Sequence, residues 1–225
     1  MNTMLLTQQQ PLDQSTDAAI QQSITTIIDD VITSLPDCTQ LTSEERRGII
    51  ARYTAVLEGN FIYWMTATLI SVHAEEARPI LLDNLHEEVR DAHPAMLRRF
   101  AVAANAFPNA SDALAIDSGL TNVRLFLGRL SGVQSLATMA FFEGFIQRFM
   151  GYLANLSAAQ GSTEMEYTDV HGICDIAHTE GLFQALSVEM ASHPLDPSKD
   201  VLEGVYLLRD LVEEIVFNRA EKLAA

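Results

Sequence analysis

The chain has 225 residues, with 14 Lys+Arg against 30 Asp+Glu and a formal net charge of -16. So acidic a chain lacks the basic surface that nucleic acid or an anionic membrane requires, and its 48% hydrophobic content is too high for a disordered protein. Its two cysteines, Cys38 and Cys174, exclude a disulfide scaffold and a Cys-rich zinc module.

Residues 1–15 are polar and Gln-rich and are expected to form a mobile arm. Their opening, MNTMLLTQQQPLDQ, has no Lys, no Arg and no long apolar stretch, unlike a signal peptide. No apolar run approaches the roughly 20 residues needed to span a bilayer. A soluble, cytoplasmic protein without nucleic-acid or membrane partners is expected. From Asp17, the positions of Ile20, Ile24, Ile27, Ile28, Val31 and Ile32 give a helical apolar stripe. Pro36 stops it. Thr42 or Ser43 offers the next N-cap, with Glu44 and Glu45 in the first turn, where the helix dipole favours them. One long helical segment is predicted from Ser43 to about Ala77, carrying Glu58, Tyr63, Trp64 and His73.

Pro79 interrupts that segment. A further helix is predicted from Ile80 through NLHEEVRDAHPAMLRRF, with a break near His93 because Pro94 follows it. Residues 107–120 read as a loop with a short helix. Residues 121–157 read as one long helix or two, with Gly128, Gly132, Gly144 and Gly151 as bending or close-packing points. Another helix is predicted over 167–192, ended by His193-Pro194, and Asp200 caps a last one. Alternating β-branched runs are absent. The expected fold is all-α, about seven helices in one domain from residue 16 onward.

The sharpest chemical signal is HGICDIAH, His171 to His178. On a helix, His171, Asp175 and His178 fall within about 60° of one another, so two imidazoles and a carboxylate point one way. That donor mixture suits iron, manganese or zinc rather than magnesium or calcium. Glu143 in MAFFEGFIQRFM and Glu58 in AVLEGNFIYWM sit among apolar neighbours without an adjacent cation. A single Glu of this kind is ordinarily a surface residue. Three helices with such donors instead match the way bundles build dinuclear carboxylate sites.

With Asn84-Leu85-His86-Glu87-Glu88 and His93 added, the ordered set resembles the heme-oxygenase-like diiron oxidases and oxygenases, relatives of the chlamydial para-aminobenzoate-forming protein. The resemblance spans almost the whole chain from about residue 20. It departs from the family pattern between Glu88 and His93, where only Val89 to Ala92 intervene. The resemblance implies a heme-oxygenase-like bundle holding two irons that activate O2. Glu58, His93 and Glu143 would hold one iron; His171, Asp175 and His178, with Glu88, would hold the other. Glu87 is the alternative to Glu88, and Asp83 with His86 forms a rival ligand pair.

The implied substrates are small amino-acid-like or carboxylate metabolites, with an external electron donor, and the fold resemblance implies a homodimer. N-oxygenation, oxidative C–C cleavage, desaturation and nitrile formation are the implied outcomes, in natural-product biosynthesis. Arg124 and Arg129 are candidates to anchor a substrate carboxylate, and Tyr63 and Trp64 to line a pocket. Three other readings compete: a non-catalytic partner-binding or regulatory protein, a thiaminase-type hydrolase using Cys174, and a heme protein. The last is disfavoured because no His precedes His73.

Overall fold

A computed structural model describes residues 14–218. Among them are nine helices: α1 (Gln14–Ser34), α2 (Ser43–Leu57), α3 (Asn60–Ser71), α4 (Arg78–Arg90), α5 (His93–Ala103), α6 (Ala110–Leu127), α7 (Gly132–Ala159), α8 (Glu166–Ser192) and α9 (Glu203–Phe217). There is no strand among the described residues. The arm expected over residues 1–15 lies outside them up to residue 13. No helix among them is long and apolar enough to cross a membrane.

The extra helices have local causes. The segment read as one helix over 43–77 divides at Gly59, whose φ of 83° is left-handed, a conformation glycine adopts without a Cβ penalty. Glu58 thereby becomes the C-cap of α2, with extended backbone. The stretch read as a loop over 107–120 is largely α6. Asn109 caps it, accepting from the Ser111 and Asp112 backbone N–H groups, while Asp112 accepts from the Asn109 N–H. This reciprocal cap satisfies donors that a helix start leaves open. Thr42 and Glu45 make the same capping box at α2. Arg47 ties α2 to α6 through Asp112 at 2.8 Å.

Helix α7 is the axis of the fold. Its residues Gly132 to Ile146 are buried without interruption, as expected of a helix that is apolar around its circumference. Helices α1, α2, α3, α8 and α9 all pack on it. Phe142, Phe145 and Phe149 run along it with ring centroids 6.5 and 4.9 Å apart, and Trp64 meets Phe142 edge-on at 5.3 Å. On the opposite side of the chain's order, α4, α5 and α8 pack together. Glu143 is thus the acidic residue of an otherwise apolar stretch, delivered to the region where α7 meets α8.

Candidate metal centre

Four helices deliver polar side chains to one buried place. From α8 come His171, Asp175 and His178, spaced i, i+4 and i+7 on one face. Helix α7 supplies Glu143 and α4 supplies Asn84, Glu87 and Glu88. His93 opens α5. Positions 88 and 93 lie about 140° apart on a continuous helix, so a regular α4 could not bring both side chains together. Ala92 resolves this by taking a left-handed conformation (φ 54°, ψ 43°). The chain turns back, and His93 Nδ1 meets Glu88 Oε1 at 2.7 Å.

Two donor groups result. Donor atoms of Glu88, His93 and His171 lie within 4.8 Å of one another, all three residues buried. His171 Nε2 is 3.8 Å from Glu88 Oε1, and the His93 and His171 rings sit edge to face with centroids 4.4 Å apart. Asp175 and His178 form the second group, with Cys174 beside them. His178 Nδ1 is 3.7 Å from Asp175 Oδ1 and 3.8 Å from Glu143 Oε1. These are ion-pair separations, longer than a hydrogen bond. The division differs from the expected one, which set His93 with Glu143 and Glu58.

The imidazoles are held from behind. His171 Nδ1–H donates to the Tyr167 carbonyl at 2.8 Å, which turns Nε2 towards Glu88. His178 Nε2–H donates to Glu87 Oε2 at 2.9 Å, which turns Nδ1 towards Asp175 and Glu143. Asn84 Nδ2 donates to Glu143 Oε1 at 2.9 Å. Such supporting bonds fix tautomer and ring orientation at metal sites.

The electrostatics show a deficit of positive charge. Burial, with the like charge of Asp175 behind it, holds the Glu143 carboxyl well above the usual range. Burial lowers His171 and keeps it neutral, outweighing the pull of Asp175 and Glu88. Burial also opposes the charged form of His178. There the carboxylates of Asp175, Glu143 and Glu87 prevail, lifting it to about 9. His93 is likewise raised, by Glu88, against its burial. Asp175 Oδ2 and His178 Nδ1 are buried with no hydrogen-bond partner. Buried polar atoms are rarely left so, and a cation between them would satisfy both. Imidazole plus carboxylate is a donor set suited to iron, so the residues present fit that metal.

A cavity of about 20 Å³ opens beside the first donor group, lined by Glu88, His93, Glu143, His171 and Tyr167 and walled by Leu57, Phe61, Ile62, Pro94, Leu97 and Ile146. Its volume suits a water or a diatomic molecule. No Arg or Lys lines it.

Several expected site residues stand elsewhere. Glu58, at the α2–α3 break, is ion-paired with Arg98 and belongs to neither donor group. Arg124 donates to Asn60 Oδ1 at 2.9 and 2.6 Å. Arg129 pairs with Glu203 at 2.6 Å. Tyr63 is exposed and Trp64 is fully buried in the core; neither reaches the cavity, because the new helix phase after Gly59 turns Phe61 and Ile62 to it instead. Asp83 and His86 face solvent, leaving the rival pair outside the cluster. Cys174 donates to Asp175 Oδ1 at 3.2 Å, and burial with adjacent carboxylates pushes its thiol far up, against a nucleophilic role.

Tyr167 and Tyr53 adjoin the site without standing among the residues expected from the sequence. Their hydroxyls are 2.9 Å apart in full burial, and the Tyr167 ring lies 4.2 Å from that of His171. The available signal was spacing: Tyr167 precedes His171 by one helical turn.

The family of iron-containing redox enzymes matches residues 50–212, and the chain belongs to it. The all-helical architecture is that of a heme-oxygenase-like bundle. No curated protein matches the chain.

Proposed function

We propose that the chain is a non-heme diiron oxidase or oxygenase that uses O2 on a small amino-acid-like or carboxylate metabolite. The observation that carries this reading is the pair of unpartnered buried atoms in the second group, Asp175 Oδ2 and His178 Nδ1, close to Glu143 and to the first group of Glu88, His93 and His171. Glu88, His93 and His171 would hold one iron, and Glu143, Asp175 and His178 the other. When bound, two irons supply the electrons and the Lewis acidity that O2 reduction requires.

The chain's own residues prepare the site. His171 presents a neutral Nε2 because its other nitrogen is committed to the Tyr167 carbonyl. His178 presents Nδ1 because Glu87 holds Nε2–H. The protons that His93, His178 and Glu143 retain in the metal-free chain leave as metal binds, so uptake releases acid. Phe61, Ile62, Leu97 and Ile146 exclude water and offer an apolar wall to the carbon skeleton of the substrate. A metabolite exceeds the cavity, so its entry requires the walls of α2, α3 and α5 to part. An external donor would return the electrons consumed.

The test is anaerobic loading with Fe(II) followed by exposure to O2. About two irons per chain, oxygen consumption and a transient visible absorbance are expected. Absence of both iron uptake and oxygen consumption would overturn the reading in favour of a non-catalytic bundle.

A further inference from the structure

We propose a second, surface metal site built by His73 and His193, separate from the buried cluster, that takes a borderline divalent transition ion such as Zn2+, Ni2+ or Cu2+. His73 follows the end of α3, and His193 is the C-cap of α8. Both are exposed, and their ring centroids are 5.4 Å apart with the planes inclined at 48°. With metal–nitrogen bonds of about 2.0–2.1 Å and a tetrahedral angle, two imidazoles on one ion place their centroids about 5.2 Å apart. The two rings already stand at chelating separation.

Beneath them lies Glu189, 1% exposed. Its carboxylate accepts from the backbone N–H of His73 at 3.1 Å and of Ala74 at 2.8 Å. It therefore pins the backbone that carries one imidazole to the helix that carries the other. Gly132 gives it room: a Cβ there would come within 2.4 Å of Glu189 Oε1. Glu189 Oε2 also faces His193 Nδ1 at 4.0 Å. The buried carboxylate therefore lies under both imidazole-bearing residues and adds negative charge beneath a bound cation. Water would complete the coordination. Two imidazoles select a transition ion over magnesium or calcium, which prefer oxygen donors.

Occupancy would join the α3–α4 connection to the end of α8. Helix α4 carries Asn84, Glu87 and Glu88 to the buried cluster, so the ion would stiffen the mounting of those residues.

The experiment is a calorimetric titration of ZnCl2 into the full chain, H73A/H193A and H171A/H178A, with X-ray anomalous scattering from zinc-soaked crystals of the unaltered chain. A zinc-binding event that persists in H171A/H178A and is lost in H73A/H193A is expected. Anomalous density between the two rings is expected as well, and it serves even if H171A/H178A fails to fold. Zinc should also slow hydrogen exchange over residues 72–77. Equal zinc binding by the unaltered chain and H73A/H193A, or anomalous density touching only one of the two rings, would overturn the proposal.

Discussion

The Asn84 amide donates to Glu143 Oε1 at 2.9 Å, and both side chains are buried. It is a neutral donor to a carboxylate that burial already presses towards its protonated form. Replacing Asn84 by Leu keeps the branched shape at Cγ and removes the donor. Iron affinity is expected to fall about 10–100-fold while the helical circular dichroism is retained. Competition for Fe(II) against a chromophoric chelator measures this. Unchanged affinity would reduce Asn84 to a packing residue.

His171 and His178 belong to different donor groups. His171→Ala and His178→Ala should therefore each remove one metal position. Iron per chain, measured by elemental analysis after anaerobic loading, should drop by about half in each variant and nearly to zero in the double variant. Full iron content in both single variants would refute the grouping.

Glu58 offers a contrasting case. Its carboxylate is occupied by Arg98, and the Arg98 side chain is 60% exposed. Glu58→Gln and Arg98→Ala should match each other, leaving iron content unchanged and altering stability within about 1 kcal/mol. If Glu58→Gln alone loses iron, Glu58 exchanges Arg98 for the metal in the loaded protein.

Acid should loosen the start of α2. The Thr42 backbone N–H and hydroxyl both donate to Glu45, lowering its carboxyl below the ordinary 4.5. A carboxylate more acidic in the folded chain stabilises that chain above its unfolded value. The contribution is lost as pH falls through the lower, folded value. Melting temperatures of the unaltered chain and Glu45→Gln should therefore differ at pH 7 and converge below about pH 4. Thr42→Ala, which removes the reciprocal half of the cap, should cost about 1 kcal/mol.

Gly204 should resist the substitution that usually stabilises a helix. In an open helix, alanine in place of glycine gains about 1 kcal/mol. A Cβ at Gly204 would instead lie 2.1 Å from Thr138 Oγ1 and 2.2 Å from Phe126 Cε1. Gly204→Ala is expected to lower stability by about 1–3 kcal/mol as overpacking does, read from denaturant midpoints. Thr138→Ala should recover only part of the loss, because Phe126 remains.

The helical class was legible in the periodicity of α1 and the apolar run of α7, since both patterns are local. Donor order was legible too, because His171, Asp175 and His178 share a face through spacing alone. The break at Gly59 was misread because an apolar sequence continues across it, although a glycine after Glu58 is an ordinary helix stop. How the donors group in space was not legible in the sequence, for a different reason. It depends on how α4, α5, α7 and α8 meet, and no spacing within one helix encodes that. The same holds for Arg124 and Arg129, whose partners Asn60 and Glu203 are 64 and 74 residues away in the chain.

Ala92 has a consequence for what the gene can tolerate. His93 is aimed by one left-handed residue placed after α4, and the interval from Glu88 acts as a ruler. Substituting Val89 or Arg90, both exposed, leaves the ruler intact. Ala92→Gly keeps it and removes the Cβ strain of a positive φ. Adding or deleting one residue in the helical part of this interval, Val89–Arg90, would rotate the turn that carries His93 by about 100° relative to Glu88. Length rather than composition is the constrained property of this short stretch, the reverse of what holds for most solvent-facing connections.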